Sequence, residues 1–325
     1  MTAGMTTPER RGDNMNFKDC AELLKKNDGF LLLTHINPDG DTVGSAAALC
    51  SALRRAGKTA YVMENPGLTD KLRGYIAPFL APEGYAGAFT VAVDIAAQGL
   101  LTPGYAGGVD LCIDHHPSNV RYAASTLVCD DRSSCGELVL EVIKALRGSV
   151  TKSEATLLYM ALATDNGCFR YSNTNSASFR AAAELLRLGA DNAEINIRFF
   201  REASPARIRL EGLIYLSMSY YREGKIVVAE ITQDMMREAG ATEEDMDDIA
   251  NLPGRAEGCA LSVTIREQPD GTCRLSLRST KEVNSSDICA VFGGGGHALA
   301  AGCTISGTPA RAREMILDVI NEVWK

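Results

Sequence analysis

The sequence predicts an α/β protein with a parallel-sheet domain, a helical linker and a smaller α/β domain at the C-terminal end. Three observations lead to this fold class. Short apolar runs alternate with helical stretches from about residue 29 to residue 165, a helical stretch follows at about 204–222, and closely spaced strand runs begin at Lys225. The early runs are continuously apolar, as expected for parallel strands that are covered on both faces. A chain of 325 residues is long enough for two separate cores.

The first domain should begin with the strand GFLLLTH, which ends at His35, and a helix GSAAALCSALRRAG that Gly57 stops. TAYVM, FTVAVD and VDLCID are the next predicted strands, and SSCGELVLEVIKALRG, TKSEATLLYMALATD and NSASFRAAAELLRLGAD are predicted helices. His35, Asp94 and Asp114 each end a predicted strand. Because ligands bind at the carboxyl edge of open α/β sheets, we expect these three residues to share one edge.

The second domain should contain the strands KIVVAEI, CALSVTIRE and TCRLSLRS. The turn sequence Q-P-D-G between the last two predicts a hairpin. Helix NSSDICAVF, a run of four glycines at 293–296, strand GCTIS and helix PARAREMILDVINEVWK then complete the domain.

Composition excludes several functional classes. The net charge of −8 argues against a long basic groove for duplex nucleic acid, and no apolar run approaches the ~20 residues that span a bilayer. The polar N-terminus lacks an apolar signal core, so we do not expect export. We expect residues 1–15 to be a disordered leader, or sequence upstream of a start at Met15. Ten cysteines without a C-x-x-C pair indicate free thiols in a reducing cytoplasm.

All four histidines lie in glycine- or aspartate-rich motifs. His35 opens H-I-N-P-D-G-D, His115 and His116 form D-H-H with Asp114, and His297 ends G-G-G-G-H. Mixed imidazole and carboxylate ligands suit divalent metals of intermediate hardness, manganese above all. The sequence therefore points to a metallohydrolase.

The aspartates of the first motif have two interpretations. Gly40 lets the backbone turn tightly, so that Asp39 and Asp41 can face one site. Alternatively, one of them caps the helix that we expect to start near Gly44, and a cap does not explain His35.

The other acidic residues, Asp94 and Asp165, become candidate metal ligands only in combination with the histidine motifs. Asp94 alone would be a turn or cap residue, and Asp165 is a further carboxylate at a predicted helix end. Neighbouring side chains on an extended segment alternate in direction, so that one of His115 and His116 can bind metal while the other reaches substrate. Two cations about 3.5–4 Å apart need a bridging carboxylate, and such a pair activates water for attack on phosphorus.

The glycine run is predicted to be an anion cradle. Gly294, Gly295 and Gly296 allow backbone N–H groups to approach an anion at or near a helix start, although a flexible linker has a similar sequence. Arg278, near the end of TCRLSLRS, is either a phosphate clamp or a plain surface arginine.

The ordered set of motifs resembles the DHH phosphoesterase family with its DHH-associated C-terminal domain. The motifs are H-I-N-P-D-G-D-T-V-G-S, V-A-V-D, D-H-H, A-T-D-N-G-C-F-R-Y-S-N-T, S-L-R-S and G-G-G-G-H, and the resemblance runs from about Asn16 to Lys325. It implies a catalytic metal-binding domain over 16–200, a linker helix over 201–224 and a substrate-binding domain over 225–325, with a cleft between the domains.

The resemblance also implies residue roles. One metal would be held by His35, Asp39 and Asp94. The other would be held by Asp41, Asp94, His115 and Asp165, with Asp94 as the bridge. His116 would contact the scissile phosphate and Asp114 would orient the histidines. The implied substrate-binding residues are Arg278, Ser279, Gly294, Gly295, Gly296 and His297. Asn166 departs from the family pattern, in which threonine is frequent.

The implied activity is manganese-dependent hydrolysis of short oligoribonucleotides (nanoRNA) and of 3′-phosphoadenosine 5′-phosphate (PAP), with two divalent cations that activate the attacking water. A phosphodiesterase for pApA or a substrate related to cyclic di-AMP, and a nucleotide-binding module without turnover, are the alternatives. Long duplex nucleic acid and membranes are not expected partners. The sequence leaves open a homodimer, the preferred substrate, the polarity of attack and the metal used in the cell.

Overall fold

The computed structural model describes residues 14–246 and 248–324, and the chain divides after Glu202 into two compact units. Residues 1–13 of the expected leader lie outside the described residues. Asn14 and Met15 contact the first unit: the Met15 amide donates to the carbonyl of Thr126 (2.9 Å), and the Asn14 side chain donates to the carbonyl of Val128 (2.9 Å).

The first unit alternates strands and helices. Its elements are α1 (Phe17–Lys26), β1 (Phe30–Leu33), α2 (Gly40–Arg55), β2 (Ala60–Val62), α3 (Asp70–Ile76), β3 (Phe89–Val93), β4 (Leu111–Asp114), β5 (Ser125–Val128), α4 (Cys135–Arg147), α5 (Lys152–Asp165), α6 (Ser176–Arg187) and α7 (Asn192–Asn196).

The strands of this unit form one parallel sheet in the order β2-β1-β3-β4-β5. Register pairs Leu32 with Val91, Val91 with Leu111 and Leu111 with Ser125. The predicted parallel sheet is confirmed, and its apolar strands are buried as expected for a sheet with both faces covered. Sequence patterning missed α1, α3, β5 and α7.

Three helices pack closely because glycines remove side chains from their contacts. A Cβ at Gly44 in α2 would lie 2.4 Å from the carbonyl oxygen of Leu157 in α5, and one at Gly136 in α4 would lie 2.7 Å from the Cβ of Ala161. The start of α2 differs from the prediction. The helix begins at Gly40, one turn earlier than Gly44, because the Asp39 side chain caps it.

The second unit is built on a mixed sheet. Its elements are α8 (Pro205–Ser217), β6 (Ser219–Tyr221), β7 (Ile226–Ile231), α9 (Gln233–Ala239), β8 (Leu261–Glu267), β9 (Thr272–Ser279), α10 (Ser285–Ala290), β10 (Gly295–His297), β11 (Ala300–Ser306) and α11 (Pro309–Val323). The strand order is β10-β11-β9-β8-β7-β6, in which only the β7–β8 pair is parallel among the described residues.

Two details of the second unit bear on the sequence predictions. The hairpin of β8 and β9 is confirmed, with Gly271 at φ +79° in the turn. The helix expected at about 204–222 is shorter. It ends at Ser217, and β6 follows it because Ser219 pairs with Val228 of β7. Leu210 and Ile214 of α8 are buried against the second unit's own residues.

The described part of the chain contains no helix that is both long and apolar enough to cross a membrane.

The glycine contact between α2 and α5 gives a stability prediction. Gly44→Ala should lower the free energy of unfolding by about 1–3 kcal/mol, because the new methyl group overlaps a backbone carbonyl that cannot rotate away. Gly74→Ala in α3 is the matched control, since its Cβ would meet only the end of the Arg198 side chain at 3.5 Å. That variant should gain roughly 0.5–1 kcal/mol from helix propensity. Urea unfolding of the full chain measures both, and equal stability of the two variants would contradict this packing.

Candidate functional site

The carboxyl ends of three adjacent strands gather the predicted site residues of the first unit. His35 lies two residues beyond β1, Asp94 directly follows β3, and Asp114 is the last residue of β4. Since β1, β3 and β4 are neighbours in a parallel sheet, these residues lie along one edge. The fourth contribution is Asp165, the last residue of α5.

The start of α2 places two more aspartates at this edge. The Oδ1 atom of Asp39 accepts hydrogen bonds from the amides of Asp41 (2.9 Å) and Thr42 (3.1 Å), whereas its Oδ2 lies 3.5 Å from Nε2 of His35. Asp39 therefore caps the helix and faces the histidine at the same time, so the two interpretations from the sequence are not alternatives.

Gly40 has a different role from the tight turn that the sequence suggested. A Cβ at this position would lie 2.4 Å from Oγ1 of Thr164. The glycine is needed because the end of α5 lies directly against the start of α2, and this contact brings Asp165 to the site.

Asp94 lies between two imidazole rings. Its Oδ2 is 3.8 Å from Nε2 of His35, and its Oδ1 is 3.4 Å from Nε2 of His115. The side chain is almost fully buried, and the backbone has φ +63°, a conformation that non-glycine residues adopt rarely and often at functional sites. The two oxygens of the Asp94 carboxylate thus face two different groups of candidate metal ligands.

The second group of candidate metal ligands consists of Asp41, His115 and Asp165. The Nε2 atom of His115 is 3.7 Å from Oδ2 of Asp41 and 3.9 Å from Oδ2 of Asp165. In this group, and in the group His35, Asp39 and Asp94, the candidate ligand atoms lie within 4.8 Å of one another. The candidate ligand atoms of Asp94, His115 and His116 also lie within 4.8 Å of one another.

The two neighbouring histidines have different partners. Nδ1 of His115 is 3.2 Å from the carbonyl oxygen of Arg132, which leaves Nε2 to face the aspartates. Nδ1 of His116 is 2.8 Å from Oδ1 of Asp114. As the alternation of side chains predicted, the two rings are not equivalent.

Asp114 and Asp41 are both buried and hold backbone groups. Oδ1 of Asp114 accepts from the His115 amide (2.8 Å), and its Oδ2 accepts from the side chain of Asn119 (2.6 Å). Asp41 accepts from the amides of Cys135 (2.7 Å) and Gly136 (3.0 Å) at the start of α4. Asp114 thereby fixes the D-H-H turn, and Asp41 is fixed by a helix N-terminus that favours negative charge.

The crowding of like charges perturbs the proton affinities of the site. Burial raises the pKa of Asp165 to about 7, against the opposing effect of the nearby His115. Burial and then the carboxylate of Asp94 raise the pKa of Asp41. Burial disfavours a charged His115, but the adjacent carboxylate of Asp94, 3.4 Å away, and then those of Asp41 and Asp165 raise its pKa to about 11. The site thus attracts positive charge strongly.

A divalent cation fits this arrangement. Asp94 Oδ1 and His115 Nε2 are buried and have no hydrogen-bond partner, which is costly for polar atoms unless a ligand completes them. Imidazole nitrogens and carboxylate oxygens are suitable ligands for manganese and its neighbours.

In the second unit, Arg278 and Ser279 lie at the end of β9 and have partners of their own. Arg278 is half-buried, and its Nε donates to the side chain of Asn251 at 3.1 Å. The Ser279 hydroxyl donates to the carbonyl of Val283 (2.8 Å) and accepts from the hydroxyl of Ser285 (2.9 Å). Ser279 therefore stabilises the segment 280–284 that leads into α10.

The glycine run lies between a helix and a strand, as the order of the sequence predicted, but among the described residues no helix begins beside it, so the expected helix start was wrong. It follows the C-terminal end of α10, and Gly295–His297 form the exposed edge strand β10. Antiparallel pairing with β11 brings the two backbones close, so that a Cβ at Gly294 would lie 2.2 Å from the carbonyl oxygen of Gly302. An anion at this strand would meet edge N–H groups, without the help of a helix dipole.

Sequence reasoning missed a group of residues behind the aspartates. Ser133, Glu137 and Asn173 connect the loop before α4 to His115 and Asp165. Ser133 and Glu137 lie in a stretch predicted only as a helix, and Asn173 lies in the motif A-T-D-N-G-C-F-R-Y-S-N-T, but the sequence assigned no role to any of the three.

The chain matches two family models. Residues 30–162 match the DHH family, N-terminal domain, and residues 223–325 match the DHHA1 domain. The bifunctional oligoribonuclease and PAP phosphatase NrnA of Thermus thermophilus is 34% identical over 93% of this chain and 92% of its own. The protein of the same name from Bacillus subtilis is 27% identical over 86% of this chain and 90% of its own.

A solved structure has the same fold. The crystal structure of an exopolyphosphatase-related protein from Bacteroides fragilis superposes with a TM-score of 0.84 and 23% identity, over 95% of this chain and 97% of that one. The two family matches lie in the two compact units that the structure shows. The chain belongs to the DHH phosphoesterase family, with an N-terminal DHH domain and a C-terminal DHHA1 domain.

Proposed function

We propose that this protein hydrolyses short oligoribonucleotides and 3′-phosphoadenosine 5′-phosphate with two divalent cations, which we take to be Mn²⁺. The coarser class, a hydrolase of phosphoester bonds, follows from its family and from relatives that are named as oligoribonucleases and phosphatases. The observation that carries the proposal is the placement of Asp94 between His35 and His115, with a separate set of carboxylates around each histidine.

His35, Asp39 and Asp94 would hold one cation, and Asp41, Asp94, His115 and Asp165 would hold the other. When bound, two such cations make a water nucleophilic near neutral pH and neutralise the charge that develops on the phosphoryl oxygens. Burial of the surrounding side chains strengthens each of these interactions by lowering the local dielectric constant.

His116 would contact the scissile phosphate, and Asp114 would orient His116. A proton on Nδ1 of His116 is held by Oδ1 of Asp114, which orients the ring and leaves Nε2 for a hydrogen bond to a phosphoryl oxygen. Burial disfavours a charged His116, but its hydrogen bond with Asp114 and then the carboxylate of Asp94 raise the pKa of the ring, so it favours its charged form beside an anion. Asp114 is a positioning residue here, because its oxygens also hold the backbone of the D-H-H turn.

We further propose that Arg278 and the edge strand Gly294 to His297 bind the substrate's anionic groups, while Ser279 holds the adjoining segment. Small anionic substrates suit a chain with net charge −8, because a few donors and cations can bind them without a long basic surface. All ten cysteines are free, which favours a reducing compartment such as the cytoplasm.

The decisive assay uses the metal-free full-length protein with Mn²⁺ restored. We expect hydrolysis of two- to five-nucleotide RNA and release of phosphate from PAP, both abolished by a chelator. Comparison with pApA and cyclic di-AMP separates the related phosphodiesterases by relative rate. Intact RNA and PAP despite confirmed metal loading would refute the proposal, and nucleotide binding without turnover of any substrate would indicate a binding module.

Asp94→Asn tests the shared carboxylate. Asparagine tolerates φ +63° better than most residues, so the fold should persist while one charged oxygen is lost. We expect kcat to fall at least about 10²-fold at saturating Mn²⁺, and metal binding to weaken. Asp130→Asn, at an exposed position after β5, is the control and should retain full activity. Near-wild-type turnover of Asp94→Asn would exclude Asp94 from the reaction.

The perturbed pKa values predict that metal binding releases protons. With the pKa of His115 raised to about 11 and that of Asp165 raised to about 7, the metal-free site carries protons near neutral pH that a cation must displace. The apparent Mn²⁺ affinity should therefore rise from about pH 6 to about pH 8.

Calorimetry in two buffers of different ionisation enthalpy measures the proton release directly. Asp165→Asn should release fewer protons than the wild type. Affinity that is independent of pH, or that falls as pH rises, would contradict the predicted charge state of the site.

A further inference from the structure

We infer that Glu137 is a positioning residue for the metal site, which holds His115 and Asp165 in place through two consecutive backbone carbonyls. The inference deepens the proposed function and rests on it, since it concerns residues that we propose as metal ligands. Glu137 touches neither the aspartates nor the histidines of the site; its effect is transmitted by the loop before α4.

Glu137 is a buried carboxylate in the first turn of α4, with only 3% of its surface exposed. A buried charge is tolerated only when hydrogen bonds compensate for lost hydration. Its Oε1 accepts from the amide of Ser133 (3.1 Å), the hydroxyl of Ser133 (2.8 Å) and the hydroxyl of Ser178 (3.2 Å). Its Oε2 faces the guanidinium of Arg132 at 3.5 Å.

These contacts fix the segment Arg132–Ser133 against two helices. The Ser133 backbone and side chain both donate to one oxygen of α4, and Ser178 connects the same oxygen to α6. The orientation of the two peptide groups, and hence of their carbonyls, is therefore set by one side chain.

Both carbonyls face the metal site. The carbonyl oxygen of Arg132 lies 3.2 Å from Nδ1 of His115. The carbonyl of the next residue, Ser133, accepts from Nδ2 of Asn173 at 3.3 Å, and the same amide group donates to Oδ2 of Asp165 at 3.2 Å. One loop thus holds an imidazole directly and a carboxylate through Asn173.

This arrangement determines which atoms the ligands present. When Nδ1 of His115 carries a proton and donates it to the carbonyl of Arg132, Nε2 keeps its lone pair free to bind a metal. This Nε2 atom faces Asp41, Asp94 and Asp165. The Asn173 contact holds one oxygen of Asp165 at a fixed distance from the same nitrogen. Loss of the Glu137 charge should loosen both ligands together.

The test measures Mn²⁺ binding to the metal-free full chain by electron paramagnetic resonance, without substrate. Glu137→Gln keeps the size and one acceptor oxygen, but loses the charge that faces Arg132. We expect about 10-fold weaker Mn²⁺ affinity, as is typical for residues that orient metal ligands. Turnover should recover at excess Mn²⁺, with the KM for substrate unchanged.

Glu141→Gln is the matched control, one turn further along α4. Its carboxylate is 36% exposed and pairs with Lys144 at 3.1 Å, away from the loop. The variant should bind Mn²⁺ as the wild type does. A Glu137→Gln protein that melts at a lower temperature with unaltered Mn²⁺ affinity would show a purely structural role and overturn the inference.

Asn173→Ala provides a second test, because this exposed side chain can be removed without opening the core. Weaker Mn²⁺ binding by this variant supports the inference, and unchanged binding contradicts it, even where Glu137→Gln does not fold. A wild-type protein that binds Mn²⁺ but cleaves neither RNA nor PAP would remove the proposed function. The binding data for the variants would then still decide the role of Glu137.

Discussion

Mutual repulsion among clustered carboxylates is the constraint on which the site depends. Asp39, Asp41, Asp94 and Asp165 converge around two imidazoles. Asp41 and Asp94 are buried, and the low dielectric constant of the interior magnifies the cost of their charges. The protein offsets part of this cost locally, through amides at the start of α4 and the hydroxyl of Ser45 for Asp41. Cations would offset the remainder, so metal binding and the stability of this edge are coupled.

The fold brings the carboxylates together by two separate routes. The parallel sheet supplies the first, since adjacent strands end at the same edge and deliver His35, Asp94 and the D-H-H turn. The glycine contacts between α2 and α5 supply the second, because a side chain at Gly40 or Gly44 would push away the helix that ends at Asp165. Packing of these two glycines beside the site thereby sets the distance between its carboxylate oxygens.

Much of this could be read from the sequence, and the failures have physical reasons. Continuous apolar runs predicted the parallel strands correctly because burial on both faces leaves little room for polar residues. The strand β5 was missed because S-T-L-V begins with two polar residues and forms no continuous apolar run. The start of α2 was placed too late because a cap was expected just before Gly44, whereas Asp39 caps the helix. The glycine run was expected at a helix start, whereas pairing with β11 makes it an edge strand. The role that we infer for Glu137 runs through backbone carbonyls, which no sequence pattern records.

We propose that the Asp94 carboxylate is shared by two cations at the edge of the sheet. Anomalous diffraction from crystals grown with Mn²⁺ would locate these cations. We expect two peaks on either side of the Asp94 side chain, about 3.5–4 Å apart. One of them should lie nearer His35 and the other nearer His115. A single peak, or peaks that Asp94 does not touch, would show that the carboxylate is not shared.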